Sequence, residues 1–418
     1  MQIDKHKYFF YLFMFTLIFG VVLYAIIRFD YTDEICALAL FSLFAACMFG
    51  TTDWEINKAF LVTLFIFIFY LSYSIFIGSN TKSGIFNDFF VEIKPYLAFF
   101  CVYSIKSKLS EGQKSIVKPV CVLVWGILFS IGIGELFIRR LTWIIFEHTS
   151  HYAAAVLIVS LCYLFCSKFT LRERIQFVLM LSIGLLSGRS KFYGFFALSV
   201  FMTLIFPYMK EFKLNLRSAL ALVGMLGIMI LVAWEKIDVY FYQVLNGELE
   251  EDLVARFILY ATMPMVLIDY FPFGSGFASF ATYSSGVYYS HLYDKYGISG
   301  VWGISRDYYA FVADTYYPAL AQFGVMGLIL YASFWLYLFA KARTFYMVAK
   351  EENKCNFVLI ILIISYIAIE GIADATFTSY RGFFVMMLAA AALTEMKERS
   401  ATNVTGDLSL SNNTSYCT

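Results

Sequence analysis

The sequence predicts an all-α polytopic membrane protein with about twelve transmembrane helices and one long loop between helices 9 and 10. Of its 418 residues, 61% are hydrophobic and only 15% are charged, whereas soluble proteins carry about 25% charged residues. Several apolar runs also reach the roughly 20 residues that cross a hydrocarbon core of about 30 Å. Finally, most lysines and arginines occur in alternate connections between these runs.

The predicted spans divide the chain into four parts. The spans cover residues 8–28, 34–50, 57–77, 86–105, 117–137, 150–167, 175–188, 191–208, 216–235, 319–340, 356–373 and 379–395. Each span should be a helix, because backbone groups in lipid must form hydrogen bonds within their own segment. The parts are helices 1–9 at 1–235, a loop with short helices at 236–318, helices 10–12 at 319–395, and a disordered cytoplasmic tail at 396–418.

The lysines and arginines predict the orientation of these helices. With the N-terminus inside the cell, most of the 31 lysines and arginines fall in cytoplasmic connections, as the positive-inside rule expects. Both termini are therefore predicted to be cytoplasmic. The apolar stretch 253–271 is long enough to be a further span, but it contains Arg256, Pro264 and Asp269. We expect it to be a helix of the outer loop that lies at the membrane interface or dips partway into it.

The hexapeptide LSGRSK places two cations at the tip of a tight hairpin between two predicted spans. The span before it has only about 13 apolar residues, or roughly 20 Å at 1.5 Å per residue. The tip should then lie below the outer lipid headgroups. Arg189 is costly at that depth unless it is paired or lines a wet cavity, which makes it a candidate for function. Lys191 can instead extend to lipid phosphate.

Other ionisable residues are predicted to lie on the same outer side, namely Lys94, Arg256, Asp314 and Arg381. Each has an ordinary structural alternative, such as a pair of Arg256 with Glu251 or Asp252 or helix capping by Asp314. Lys94 lies two residues from Glu92, and a pair between them is left open. Taken together, the arginines suit bidentate binding of phosphate. They predict a diphosphate site beside lipid.

Three stretches resemble bacterial O-antigen and capsular polysaccharide polymerases and, more distantly, the O-antigen ligases. LLSGRSK resembles the S-x-R hairpin of these families. ARFILYATMPMVLIDYFPFGSGFASFATY resembles their arginine, helix and P-x-x-G-x-G stretch, and YYSHLYDKYGISGVWGI their tyrosine-rich loop. VADTYYPALAQFGVMGLILY resembles D-x-x-(W/Y)-P followed by Q-x-G-x-x-G. The ligases carry a His-Asn pair where this chain has Ala313-Asp314-Thr315, which favours a polymerase.

The resemblance implies a metal-independent glycosyltransferase, without a cofactor, at the periplasmic face of the bacterial inner membrane. Undecaprenyl-diphosphate-linked oligosaccharide would serve as donor and acceptor, and the growing glycan would move to the non-reducing end of a new repeat unit. The product would be O-antigen of lipopolysaccharide or capsule. A chain-length regulator protein and membrane lipid are the other implied partners, and no nucleic acid is.

The resemblance also implies roles for individual residues. Arg189 and Arg256 would stabilise the diphosphate leaving group, and Asp314, or second to it His291, would accept the proton of the attacking hydroxyl. The predicted substrate-binding residues are Lys94, Arg189, Lys191, Arg256, Tyr289, Tyr317 and Arg381. The two tyrosines suit stacking on sugars, although tyrosines also line membrane interfaces.

Two other functions are kept as alternatives. An O-antigen ligase would use the same donor but transfer the glycan to the lipid A core. A lipid-linked sugar transporter or flippase is expected to show internal repeats and helices that are broken near the membrane midplane. We find no evident repeat between the two halves of the sequence, which favours the enzyme.

Overall fold

The computed structural model describes residues 4–24, 31–49, 57–208 and 251–414. These ranges contain helices and connecting turns but no strand. The α-helices are α1 (Lys5–Phe15), α2 (Thr32–Phe49), α3 (Lys58–Ile77), α4 (Lys82–Ser104), α5 (Glu111–Glu135), α6 (Leu141–Phe146), α7 (Thr149–Phe165), α8 (Leu171–Ser182), α9 (Ser190–Val200), α10 (Glu251–Asp269), α11 (Tyr283–Val287), α12 (His291–Lys295), α13 (Gly324–Val348), α14 (Lys350–Glu370) and α15 (Tyr380–Thr414).

Short 3₁₀ and π segments extend several of these helices. A π segment continues α1, a 3₁₀ segment follows α8, a π and a 3₁₀ segment follow α9, and 3₁₀ segments precede α13 and α15. In chain order they are Thr16–Val22, Ile183–Ser187, Phe201–Ile205, Phe206–Tyr208, Pro318–Phe323 and Thr376–Thr378. The 3₁₀ segment after α8 leads directly into the LSGRSK hairpin.

Six helical stretches within the described ranges are long and apolar enough to cross a membrane. They are Lys5–Val22, Lys58–Ile77, Glu111–Glu135, Ser190–Tyr208, Pro318–Val348 and Lys350–Glu370. The chain is therefore a multi-pass α-helical membrane protein. Helices also occur at the predicted spans 34–50, 86–105, 150–167, 175–188 and 379–395. The predicted span 216–235 lies outside the described residues. The count of twelve spans and the periplasmic side of the loop stay predictions.

Local sequence signals set the helix ends. Ser110 and Gln113 form a reciprocal capping box at the start of α5, and Thr170 and Glu173 form another at the start of α8. Such boxes satisfy two backbone N–H groups that have no partner within the helix. At its other end, α3 stops at Gly78, which adopts the left-handed conformation that favours glycine.

Two helices form the centre of the bundle. All side chains of α7 from Tyr152 to Phe165 are buried, and so are those of α15 from Phe383 to Leu393. A helix that is apolar on every side is expected in the interior of a membrane bundle. The four alanines 389–392 keep α15 narrow, which lets α4 and α14 pack closely against it.

The predicted loop has an apolar core of its own. Its buried side chains come from α10, α12, the turns on either side of α12 and the 3₁₀ segment before α13: Ala255, Leu259, Val266, Phe280, Ala281, Leu292, Tyr293, Ile298, Ile304, Val312, Ala319 and Ala321. The stretch 253–271 forms α10, as a helix of this segment. We refer to residues 251–321 as the outer segment. It is folded structure rather than a simple connection.

Two glycine motifs of the outer segment and α13 meet at close range. Gly274 and Gly324 both have positive φ, at 81° and 64°. A Cβ atom on Gly274 would lie only 2.2 Å from the backbone nitrogen of Gly324. The Gly276 N–H donates to the carbonyl of Gln322 at 2.8 Å. Only glycine allows this approach of two backbones, so the motifs join the outer segment to the start of α13.

The predicted disordered tail at 396–418 overlaps α15, whose helix runs to Thr414. The first turns after the predicted boundary contact α14. Asn353 in α14 donates its side-chain amide to Ser400 Oγ at 3.1 Å, and Arg399 donates to the Glu352 carbonyl at 2.8 Å. Polar contacts with α14 therefore support this part of the helix.

Candidate functional site

The turn between α14 and α15, residues 370–374, is the centre of the candidate site. Two tyrosines donate hydrogen bonds to backbone carbonyls in this turn and just before it. The Tyr260 hydroxyl of α10 donates to the Ile372 carbonyl at 2.7 Å, and the Tyr317 hydroxyl donates to the Ala368 carbonyl at 2.6 Å. The outer segment is thereby fixed to this end of the helix bundle.

Two predicted substrate-binding cations contact acidic residues of this turn. Arg381 forms a bidentate pair with Asp374, with N–O distances of 2.9 and 3.1 Å. Lys191 donates to Glu370 Oε2 at 2.7 Å and to the Ala373 carbonyl at 3.1 Å. Burial acts to raise the pKa of Asp374, but the charges of Arg381 and then Lys191 outweigh it and hold that pKa below its usual range.

The two candidates of the outer segment form a pair with each other. Arg256 Nε donates to Asp314 Oδ2 at 2.7 Å, and Nη2 contacts the same oxygen. The suggested helix capping by Asp314 is wrong, and the suggested pair of Arg256 with Glu251 or Asp252 stays a prediction. Asp314 cannot cap the following helical turn, because that turn begins at Pro318. The pair joins α10 to the chain that enters α13.

Arg189 differs from the other cations in its partners. Its Nε donates to Thr149 Oγ1 at 3.0 Å, and its Nη2 lies 2.5 and 2.7 Å from the two ring nitrogens of His148. Among the described residues, no carboxylate lies within ion-pair distance of Arg189, although Lys191, Arg256 and Arg381 each have one. Arg189 is thus a half-buried guanidinium held by neutral groups.

Electrostatic interactions join these contacts into one cluster. Glu370, Asp374, Arg256 and Asp314 all act on Arg189, although burial is the largest influence and lowers its pKa. Burial and then Arg189 lower the pKa of His148 to about 4, so its ring is neutral at pH 7. We define the site cluster as His148, Arg189, Lys191, Arg256, Asp314, Glu370, Asp374 and Arg381. Its four cations exceed its three carboxylates by one charge.

Lys94 belongs to a different part of the bundle. It is 6% exposed and forms ion pairs with Asp33 and with Glu34, whose Oε1 lies 2.7 Å away. The pair with Glu92 is wrong, because two residues along a helix point to different faces. Both partners come from α2, so Lys94 joins α2 to α4.

The remaining predicted site residues lie in the outer segment. His291 is exposed at the start of α12. The Tyr289 hydroxyl donates to the Ile304 carbonyl at 3.0 Å, and Arg306 lies over its ring at 4.9 Å. The structure brings neither residue to the site cluster in the ranges that it describes. Tyr317 is beside the cluster, but its hydroxyl already supports the turn through Ala368.

Sequence reasoning missed three members of the cluster, namely His148, Glu370 and Asp374. For two of them, the sequence contains a feature from which they could have been predicted. Glu370 and Asp374 lie in IEGIADATF, at the end of a long apolar span. Ionisable residues at such positions are candidates for function, and Asp374 precedes the predicted Arg381 by only seven residues. His148 carried no comparable signal.

The fold and the cluster define an α-helical membrane protein with a cationic site where several helices end. Across the described ranges, no group of three or more histidine, cysteine, aspartate or glutamate side chains is arranged to hold a metal ion. No protein-family model matches the chain, and no curated protein matches it. The relation to polysaccharide polymerases therefore stays a prediction from sequence resemblance.

Proposed function

We propose that this protein is a polysaccharide polymerase of the bacterial inner membrane. It transfers a growing glycan from undecaprenyl diphosphate to the non-reducing end of a lipid-linked oligosaccharide repeat unit, at the periplasmic face. One observation supports this most directly. Arg189 is a guanidinium with neutral partners, beside three further cations, where membrane helices end. Such a cluster suits an anionic group that is attached to a lipid.

The proposed chemistry uses the positive charge of the cluster. The bond between the anomeric carbon and the diphosphate oxygen breaks, and the acceptor hydroxyl oxygen bonds to that carbon. Negative charge grows on the leaving diphosphate, where Arg189 can donate two N–H groups in parallel and Arg256 adds charge nearby. Guanidinium groups supply here the charge stabilisation that other glycosyltransferases obtain from a metal ion.

The hydroxyl proton needs an acceptor, and the cluster contains two suited to it. Asp314 is our first candidate, because Arg256 holds its carboxylate in place. His148 is the second, because its low pKa leaves a neutral ring with an accepting nitrogen at pH 7. His291 is less well supported, since it lies exposed in the outer segment. Separate Asp314→Asn and His148→Gln variants distinguish the first two.

A gel of surface polysaccharide tests the proposal. A deletion strain is complemented with wild-type protein, Arg189→Ala or Arg139→Ala, at matched membrane levels. Arg139 is an exposed arginine of the α5–α6 connection at the same end of the bundle, so it is a matched control. We expect Arg189→Ala to lose the long polymer, since one donor to a developing anion contributes about 10²–10³ in rate. Long polymer in the Arg189→Ala strain at wild-type levels contradicts the proposal.

The same gel separates a polymerase from a ligase. A strain without a polymerase still attaches single repeat units to the lipid A core. A strain without a ligase attaches none and accumulates polymer on the lipid carrier. We expect the first pattern in the deletion strain.

A further inference from the structure

Helix α4 carries two buried carboxylates on one face, away from the site cluster. Asp88 and Glu92 are 1% and 3% exposed and lie four residues apart, which makes them neighbours along the helix. The Ala278 N–H donates to Asp88 Oδ2 at 2.7 Å. The Tyr316 hydroxyl donates to Glu92 Oε2 at 3.2 Å. Both donors belong to the outer segment, so the acidic face of α4 is covered by that segment.

No protein cation balances this pair in the part of the chain that the structure describes. Neither carboxylate has a lysine, arginine or histidine within ion-pair distance. Lys94 is only two residues from Glu92, yet it is paired with Asp33 and Glu34 on another face of α4. Two ionised carboxylates that share a buried site without a cation are strongly unfavourable. A positive charge from outside the protein removes this cost.

A second observation points to the same place. Gln322 is fully buried, and neither its amide oxygen nor its amide nitrogen has a hydrogen-bond partner. Its side chain faces Asp88, whose Oδ1 also has no hydrogen-bond partner. The Gln322 amide and this carboxylate oxygen therefore lie near each other, with the Thr282 and Ser284 side chains also facing Asp88, and both keep unused hydrogen-bonding capacity. Such unsatisfied buried groups indicate a bound ion or water.

Glu92 also borders space for a small ligand. It lines a cavity of about 80 Å³ together with Tyr96, Tyr316 and Tyr331. A single water needs about one probe sphere of such space, or roughly 10–15 Å³. The cavity can therefore admit an ion with some of its hydration water. Its other lining residues in the described part of the chain are mostly apolar, so Glu92 is the one carboxylate among them, and Asp88 and Gln322 do not line it.

We propose that Asp88, Glu92 and Gln322 form a binding site for one monovalent cation, either Na⁺ or H⁺. Carboxylate and amide oxygens are ligands that a hard cation prefers, and a proton on either carboxylate removes the same charge. The titratable groups that face the pair are Tyr96, Tyr293, Tyr316 and Tyr331. Tyrosines are neutral near pH 7, so the bound cation is the balancing charge.

Hydrogen bonds of Tyr316 connect the cation site to the site cluster. The Tyr316 hydroxyl contacts Glu92, and the Tyr316 N–H donates to the Gly371 carbonyl at 3.0 Å. Gly371 belongs to the turn at the centre of the site cluster. Occupancy of the cation site therefore supports the position of that turn. The cation site itself stands independently of the proposed function.

Thermal unfolding of the full-length protein in detergent tests the site. Unfolding midpoints are compared in sodium chloride and in choline chloride at equal ionic strength, from about pH 6 to about pH 9. If Na⁺ is the ligand, the midpoint rises saturably with Na⁺ and not with choline, because a ligand of the folded state stabilises it. If H⁺ is the ligand, the midpoint in choline falls as the pH rises, because deprotonation leaves two buried charges.

Substitutions test whether Asp88 and Glu92 cause the shift of the unfolding midpoint with Na⁺ or pH. Asp88→Asn and Glu92→Gln should each remove the response that wild type shows. The control is Glu34→Gln, an acid that pairs with Lys94 and is 44% exposed at its side chain, which should leave the response unchanged. Should either variant fail to fold, Gln322→Met removes the third ligand and should weaken a Na⁺ response. A wild-type midpoint that is independent of both Na⁺ and pH overturns the proposal, as does a full response in Glu92→Gln.

Discussion

The two ends of the helix bundle use the same kinds of charged residue in different ways. At the end away from the site cluster, two lysines of α5 that join helices meet carboxylates. Lys114 of α5 pairs with Glu395 of α15 at 2.8 Å, and Lys118 of α5 pairs with Glu173 of α8. These lysine–glutamate pairs are balanced and tie the helices together, and we call this the balanced end. Arg174 at the same end differs, because it is buried and donates to the Thr203 carbonyl and the Tyr208 hydroxyl.

At the other end the balance is incomplete. Arg381 and Lys191 have carboxylate partners in the 370–374 turn, but Arg189 is held by His148 and Thr149. A count of charges therefore does not locate an anion site. A cation held by neutral groups does so where, unlike the buried Arg174, it is half-buried and lies beside other cations, because its charge is then accessible to a ligand.

The largest expected effect is at the balanced end. Lys114→Ala leaves Glu395 buried, at 5% side-chain exposure, without its closest cation. Removal of one partner from a buried ion pair costs about 3–5 kcal/mol, but Arg399 still contacts Glu395 at 3.1 Å. We therefore expect the free energy of unfolding in detergent to fall by an amount near the lower end of that range.

A matched control for Lys114→Ala is Lys168→Ala, which removes an exposed lysine at the same end. It should change the free energy of unfolding by no more than about 0.5 kcal/mol. Equal stability of the two variants would mean that the pairs at this end are not structural ties.

The second prediction concerns the unbalanced end and needs no activity assay. Inorganic pyrophosphate should stabilise the wild-type protein by binding near Arg189. At a hundred times the dissociation constant, a ligand of the folded state contributes about 2.7 kcal/mol. Arg189→Ala should lose this stabilisation, whereas Lys118→Ala, at the balanced end, should retain it. The measurement is the unfolding midpoint against pyrophosphate concentration. Identical curves for wild type and Arg189→Ala would refute the assignment of the anion site.

The sequence was sufficient for the helices because their signals are local. An apolar run of about 20 residues, a capping box or a glycine stop can each be read from neighbouring residues. Arg189 was found in the same way, since the short span before it is a local feature. The continuation of α15 beyond residue 396 was not read from the sequence, because it depends on contacts with α14 such as that between Asn353 and Ser400.

Which charged residues pair with each other could not be predicted from local sequence signals. Arg256 and Asp314 are 58 residues apart, and Lys191 and Glu370 are separated by 179. Which charges meet depends on how distant helices pack, and no periodicity in the sequence contains that information. Lys94 shows the consequence, because its partners lie on α2 and not on its own helix.

The smallest predicted effect is a pH dependence at the unbalanced end. Burial and then Arg189 lower the pKa of His148 from about 6.5 to about 4 in the folded protein. Between these two pKa values, His148 in the unfolded chain binds more protons than it does in the folded protein. The free energy of unfolding therefore rises with pH in this range. The stability that His148 contributes in its neutral form is fully present above pH 6.5 and is lost as the pH falls toward 4. It should amount to about 1 kcal/mol or less, because solvent reaches one side of the ring and screens the charges.

His148→Gln measures this contribution. The amide keeps a hydrogen-bond acceptor for Arg189 but does not titrate. Unfolding midpoints from about pH 7 to about pH 4.5 should therefore fall less steeply for His148→Gln than for wild type. Arg189→Ala should also reduce the slope, because the pKa of His148 then moves back toward its ordinary value. Parallel curves for all three proteins would show that Arg189 and His148 do not interact, and the contrast between the two ends would lose its main support.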